Sequence, residues 1–235
     1  MLVLIFTGQL AAAVAIGGVE VVAKLVLYFL HERTWSRIRW GKREVPAFVM
    51  WFTGLPASGK TTAAAAVCSE LRKRGLKVEH LDSHDVRALF PETGFSREEV
   101  DGHIGRVGHV VSMLEKQGVV VAASFVSPYH ESREFVRDLC SHFIEIYLHS
   151  TPEACEARDP KGIYARARAG EIHGLPGVDG IYEEPTDPEI RVEVDELTEH
   201  QVAKQILEEL DLARRKSAPS KERGLAALRR RQDAA

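Results

Sequence analysis

The densest chemistry in this 235-residue chain lies in nine consecutive residues, Gly54-Leu55-Pro56-Ala57-Ser58-Gly59-Lys60-Thr61-Thr62. They fit GxxxxGK[ST], a pattern that carries meaning only between a strand and a helix. That context is present. The apolar run AFVMWFT (Ala47 to Thr53) has strand length, and TTAAAAVCSELRKR after it reads as helix. Gly54 and Gly59 let successive backbone N–H groups turn toward a β-phosphate, which also sits at the positive end of the helix. Lys60 would reach the β- and γ-phosphates, and the Thr61 hydroxyl would hold Mg²⁺. The loop implies nucleoside triphosphate binding without deciding between kinase, GTPase and ATPase.

The next carboxylate narrows the choice. Val78 to Leu81 alternates as a second strand and ends in Asp82, followed by Ser83-His84-Asp85-Val86-Arg87. In small kinases built on this loop, a carboxylate here orients the attacking hydroxyl and helps to hold Mg²⁺. Asp82 is the first candidate. The plainer reading is an aspartate capping the next helix, which Asp85 fits better. Arg158 to Gly170, RDPKGIYARARAG, gathers Arg158, Lys161, Arg166 and Arg168. Such cations suit a lid that closes over phosphates and excludes water, or else a solvated helix face.

These groups need a scaffold. Val100, Ile104, Val107, Val111 and Leu114 recur at helical spacing within residues 97 to 117, and Val119 to Ala123 forms a buried strand running into Ser124-Phe125-Val126-Ser127-Pro128-Tyr129. Arg133 lies on a helix beyond. His142 to Leu148 is another strand, Thr151-Pro152-Glu153 starts a capped helix, and Glu199 to Leu212 is the last helix. Strands alternating with helices predict an α/β fold: a parallel five-stranded sheet with helices on both faces and functional loops at the strands' carboxyl ends.

The net charge of −3 divides unevenly: residues 1 to 30 sum to 0, residues 31 to 46 to +3 and residues 214 to 235 to +6, leaving −12 for residues 47 to 213. An acidic body of this kind argues against a nucleic-acid partner. Cys68, Cys140 and Cys155, widely spaced and odd in number, read as reduced cytosolic thiols.

Leu10 to Leu30, 21 residues with only Glu20 and Lys24 charged at i,i+4, is long enough as a helix to cross a hydrocarbon layer of about 30 Å. The expected order is therefore a membrane anchor over 1 to 31, a basic juxtamembrane linker over 32 to 45, a P-loop domain over 46 to 213 and a basic flexible tail over 214 to 235. Arg33, Arg37, Arg39, Lys42 and Arg43 follow the apolar run, so the positive-inside rule places the rest of the chain in the cytoplasm, with Tyr28, Trp35 and Trp40 as interface anchors. A buried helix of the soluble domain is the alternative. The stretch from Phe6 to Arg43 also resembles the second half of a small bacterial membrane domain with two helices. Only Met1 to Phe6 stands for its first helix, so the chain is expected to start at an internal Met or to lack part of its anchor.

The motifs GLPASGKTT, LDxxxVR, GFS, VSPYxxxR and, above all, the 28-residue block RDPKGIYARARAGEIHGLPGVDGIYEEP resemble the adenylylsulfate kinase family over about residues 46 to 210. The resemblance implies transfer of the γ-phosphate of ATP, with Mg²⁺, to the 3′-hydroxyl of adenosine 5′-phosphosulfate, and a homodimer. It puts Asp82, Arg87, Phe95, His103, Val126, Ser127, Lys161 and Leu175 around the acceptor and Arg158 against the ATP adenine. Ser127 matches the serine described in the family as a phosphoserine intermediate. Direct in-line transfer, with Ser127 as a positioning hydroxyl, suits a loose phosphoryl transition state better.

The departures from the family pattern lie on the acceptor side. Asp-Ser-His-Asp (82 to 85) stands for Asp-Gly-Asp-Asn, Val100 for an acceptor-binding Arg, His103 for an Asn and His130 for an Arg. Two alternatives accompany the main reading: a kinase for another nucleotide-like or sugar-nucleotide acceptor, and a non-catalytic nucleotide sensor.

Overall fold

The computed structural model describes residues 10–37, 46–89 and 96–217, so Phe95, Trp40 and the chain beyond Ser217 lie outside the described residues. The chain divides into two compact units, Met1–Val45 and Pro46–Ala235.

The first unit contains helix α1, Leu10–Arg37. Its described side chains, Gly18 to Thr34, are all exposed, apolar Val19, Val22, Leu25, Leu27 and Phe29 among them. Lys24 donates to Glu20 over 2.6 Å, as the i,i+4 spacing predicts. The expected membrane crossing is not carried by the structure: among the described residues no helix is long and apolar enough to cross a membrane.

The second unit is an α/β layer structure. Strands β1 (Val49–Thr53), β2 (Val78–Asp82), β3 (Val120–Ser124), β4 (Phe143–His149) and β5 (Ile190–Glu193) form one parallel sheet in the order β2-β3-β1-β4-β5. Central β1 is buried at all five positions, which explains why VMWFT is apolar throughout and does not alternate. The strand period of two sends Met50 and Phe52 to one face and Val49 and Trp51 to the other.

Helices α2 (Lys60–Lys73) and α8 (Glu199–Ser217) cover the first face through Ala64, Val67, Leu71, Ile206 and Leu210. Helices α4 (Arg97–Lys116) and α5 (His130–Leu139) cover the other through Ile104, Val107, Val111 and Val136. Gly108 permits their close approach, since a Cβ there would lie 2.7 Å from Val136 Cγ2. Short helices α3 (Ser83–Leu89), α6 (Pro152–Arg158) and α7 (Ile163–Arg168) stand at the carboxyl ends of the strands. The last helix, expected to end at Leu212, continues to Ser217 because Ala213, Arg214, Arg215 and Lys216 are all good helix formers.

Candidate active site

The loop between β1 and α2 turns at three positive-φ residues: Gly54 (φ 146°), Ala57 (59°) and Gly59 (88°). At Gly54 the crowding is absolute, since a Cβ would lie 2.6 Å from the Leu148 carbonyl oxygen. Lys60 Nζ curls back into this loop, donating to the carbonyls of Gly54 (3.0 Å) and Leu55 (2.6 Å) and to Ser58 Oγ (3.3 Å). Burial drives its ammonium down to about 8, with the Cys155 sulfur and the Asp82 carboxylate opposing the shift. Thr62 follows, exposed, in the first turn of α2.

Asp82 ends β2 beside this loop. Its Oδ2 accepts from Thr61 Oγ1 at 2.6 Å and from Ser124 Oγ at 3.2 Å, and its Oδ1 accepts the His84 N–H at 2.7 Å. Burial pushes its carboxyl up, but these hydrogen bonds outweigh that and leave it below the ordinary range. Asp82 thus makes the helix-terminal contact that sequence reasoning gave to Asp85, while also facing Thr61. A hydroxyl and an ionised carboxylate this close are hard oxygen donors that suit Mg²⁺. His80, which sequence reasoning missed, lies with Nε2 3.0 Å from Ser124 Oγ, behind the carboxylate.

A cavity opens beside the loop. It is lined by Pro56, by Arg87 of α3, by Val100 and His103 of α4, by Val126 and Ser127 after β3, and by Leu175 and Ile181. Five residues expected around an acceptor, Arg87, His103, Val126, Ser127 and Leu175, therefore share one space. His103 is buried, and burial first, then the positive charges of Arg87 and Arg106, hold its imidazole down at about 4, so it is neutral at physiological pH. Lys161 is exposed and does not line the cavity.

Ser127 is only 2 % exposed and has φ +39°, a strained conformation for a residue with a side chain. Its hydroxyl accepts from Trp51 Nε1 and donates to Thr53 Oγ1, each at 3.0 Å. Thr53 Oγ1 in turn donates to the Val126 carbonyl (2.8 Å) and lies 3.0 Å from the Tyr182 hydroxyl.

Arg158 pairs with Asp195 over 2.6 Å, and Asp195 also accepts from Ser150 Oγ (2.5 Å) and the Thr151 N–H (3.0 Å). Burial raises the Asp195 carboxyl, yet the donors from Ser150, Thr151 and Arg158 bring it to about 2. Asp195, 37 residues from Arg158, gave no sequence signal. In the segment expected as a lid, Asp159 accepts the N–H groups of Ile163 and Tyr164 at the start of α7, and buried Tyr164 donates to the Pro56 carbonyl over 3.0 Å. Tyr164, Cys155, Ala167 and Leu175 pack on Leu55 as a separate small core.

Comparison with known proteins points the same way. Residues 46–193 match the adenylylsulphate kinase family, and residues 1–36 match a family described as a predicted membrane protein (DUF2061). The chain is 47% identical over 153 residues to an adenylyl-sulfate kinase of a Picosynechococcus species, covering 64% of this chain and 86% of that one. It is 40% identical over 161 residues to a probable adenylyl-sulfate kinase of Pyrococcus abyssi, covering 68% and 92%. Among solved structures it resembles the Mycobacterium tuberculosis APS kinase CysC in complex with AMPPNP and APS, at 32% identity and TM-score 0.68, over 71% of this chain and 98% of that one.

Proposed function

Because this chain belongs to the adenylylsulfate kinase family, we infer that its P-loop unit phosphorylates adenosine 5′-phosphosulfate. ATP gives up its γ-phosphate to the 3′-hydroxyl, yielding 3′-phosphoadenylylsulfate and ADP in sulfate assimilation. The observation that carries this reading is the cavity in which Arg87 and His103 face Ser127 and Leu175 directly beside the phosphate loop.

The residues divide the work. The loop from Gly54 to Thr62 cradles the phosphates with backbone N–H groups, and Lys60 leaves its carbonyl partners to meet the transferred group. Asp82, held ionised, accepts a hydrogen bond from the acceptor hydroxyl and aligns it for in-line attack. Thr61 and Asp82 would hold Mg²⁺, which supplies charge neutralisation between the β- and γ-phosphates. Arg158, steadied by Asp195, forms part of the adenine site, while Phe95 and Lys161 complete the acceptor side when the lid segment closes and excludes water. Ser127 acts by holding the loop after β3.

The test is ADP release by the full chain, with and without adenosine 5′-phosphosulfate. Acceptor-dependent release supports the reading, and its absence rejects it. A second reading, a different nucleotide-like acceptor, draws on apolar Val100 and neutral His103 in the cavity. Turnover with such a nucleotide but not with adenosine 5′-phosphosulfate would favour it.

We further propose that residues 10 to 30 anchor the protein in a bacterial inner membrane with the kinase unit on the cytoplasmic side. The exposed apolar side chains of α1 and the match over residues 1–36 support this. Retention in the membrane pellet after alkaline carbonate extraction is expected, and release would reject it. A homodimer follows from the family resemblance, and sedimentation in mild detergent would test it.

A further inference from the structure

Among the described residues of the kinase unit, the least exposed charged side chain is one the chemistry above does not use. Arg133, on the first turn of α5, is 1 % exposed and meets Glu145 of β4 at 2.8 Å. Glu145 is buried too, and its second oxygen pairs with Arg137 at 3.1 Å. The Arg133 guanidinium is therefore fixed from below, and its two terminal nitrogens point elsewhere. Nη1 donates to the Ser127 carbonyl and Nη2 to the Glu183 carbonyl, each at 2.8 Å.

These two carbonyls belong to two neighbouring chain segments, each of which contributes a wall of the acceptor cavity. Ser127, Pro128 and Tyr129 line it from the loop after β3, and Ile181, two residues before Glu183, lines it from the segment that follows the lid. Two more bonds join the same walls: the Glu183 N–H donates to the Pro128 carbonyl at 2.8 Å, and the His130 N–H donates to Glu183 Oε2 at 2.7 Å. The planar fork of arginine holds two acceptors on separate nitrogens at a fixed separation, whereas an ammonium must gather its acceptors around one nitrogen. It also sits on the strained Ser127, whose φ of +39° persists only where the surroundings impose it.

We propose that Arg133 is a positioning residue for the acceptor: by bridging the Ser127 and Glu183 carbonyls it sets the spacing of the two walls, and the affinity for the acceptor depends on it while that for ATP does not. This rests on the acceptor reading of the cavity given above. Two variants of the full chain test it. Arg133→Lys keeps the charge beside Glu145 but loses the fork, and Glu183→Ala removes the side-chain bond to His130 without touching the buried ion pair.

Both are expected to raise the KM for adenosine 5′-phosphosulfate, Arg133→Lys at least tenfold and Glu183→Ala at least threefold, with the KM for ATP within twofold of the parent. Hydrogen exchange should show residues 125–130 and 181–184 losing protection together in Arg133→Lys, while residues 54–61 keep theirs. Parallel changes in both KM values, an unmoved acceptor KM, or loss of protection in one segment alone would overturn the proposal. If the parent chain does not turn over adenosine 5′-phosphosulfate, the functional reading falls, and the joint exchange signature in Arg133→Lys decides the positioning role by itself.

Discussion

The Ser127 hydroxyl accepts a 3.0 Å hydrogen bond from the indole Nε1 of Trp51, a residue of central β1 with no exposed surface. With Thr53 as its other partner, the hydroxyl has its proton committed inside the protein and fixes the loop after β3 against the strand that feeds the phosphate loop. A nucleophile would need to give up the bond to Thr53 and turn its oxygen away from buried Trp51. Ser127→Ala is therefore expected to lower kcat by no more than about tenfold, the scale of one net hydrogen bond of about 1 kcal/mol. It also leaves the Trp51 N–H without an acceptor, so stability should fall by about 1–3 kcal/mol. Thermal melts and steady-state rates check both effects. Loss of turnover by a thousandfold, or phosphate on Ser127 in a quenched reaction, would contradict this role.

Lys60 carries the opposite expectation. On the proposed mechanism its ammonium leaves the loop carbonyls to meet the charge that develops on the transferred phosphoryl, so Lys60→Ala should reduce turnover by a factor of hundreds or more. The fold should survive, because the lysine's partners in the structure, the Gly54 and Leu55 carbonyls and the Ser58 hydroxyl, all belong to the phosphate loop itself and not to the sheet or its covering helices. Near-normal rates in a well-folded variant would reject the mechanism.

The depressed titration of Lys60 makes ATP binding pH-dependent. Burial lowers it from 10.5 to about 8 in the free protein, and a bound triphosphate restores the charged form. Below about pH 8 the proton is present before and after binding. Above it the free protein has lost the proton and the complex regains it, so ATP affinity should fall and proton uptake should approach one as pH rises toward 10. In the same window the unfolded chain holds a proton that the folded chain lacks, so the penalty that burying the Lys60 ammonium places on folding shrinks as pH rises from about 8 toward 10.5. Calorimetry in buffers of different ionisation enthalpy at pH 7 and pH 9 reads the uptake. Lys60→Arg, permanently charged, should show none from this position.

The parts of this architecture that were legible in the chain were those with local causes. Val49 to Thr53 announced a central strand because burial on both faces demands an apolar run, and GLPASGKTT announced its loop because only glycine tolerates the turn at Gly54. Four strands could be placed in advance. The fifth, Ile190–Glu193, alternates over only four residues, Ile-Arg-Val-Glu, with two of them exposed, so its period is too brief to stand out. Site residues held by long-range pairs were illegible for a different reason. Asp195 acquires its role only when β4 and β5 align, bringing it to Ser150 and Arg158, and nothing near it in sequence shows that. The inward aim of the Ser127 hydroxyl depends likewise on Trp51, 76 residues away. Spacing located the chemistry, whereas side-chain direction came from packing.

Val100 offers the most direct test of the acceptor. It is half-buried on α4, lines the cavity with Arg87 and His103, and stands where the family pattern has an acceptor-binding arginine. Adenosine 5′-phosphosulfate brings negative charge into that space, and one added guanidinium hydrogen-bonded to it contributes about 1.5–3 kcal/mol, roughly ten- to a hundredfold in affinity. Val100→Arg also removes an apolar group packed near Val86 and Ile104 and adds a third cation near Arg87 and Arg106, so its melting temperature should drop in the absence of acceptor. The expected result is a KM for adenosine 5′-phosphosulfate lowered at least tenfold with the KM for ATP unchanged, and a larger thermal shift on adding the acceptor. An unchanged acceptor KM would mean that the anionic group of the true acceptor does not pass beside α4, and that His103 and Val100 shape the cavity for a different molecule.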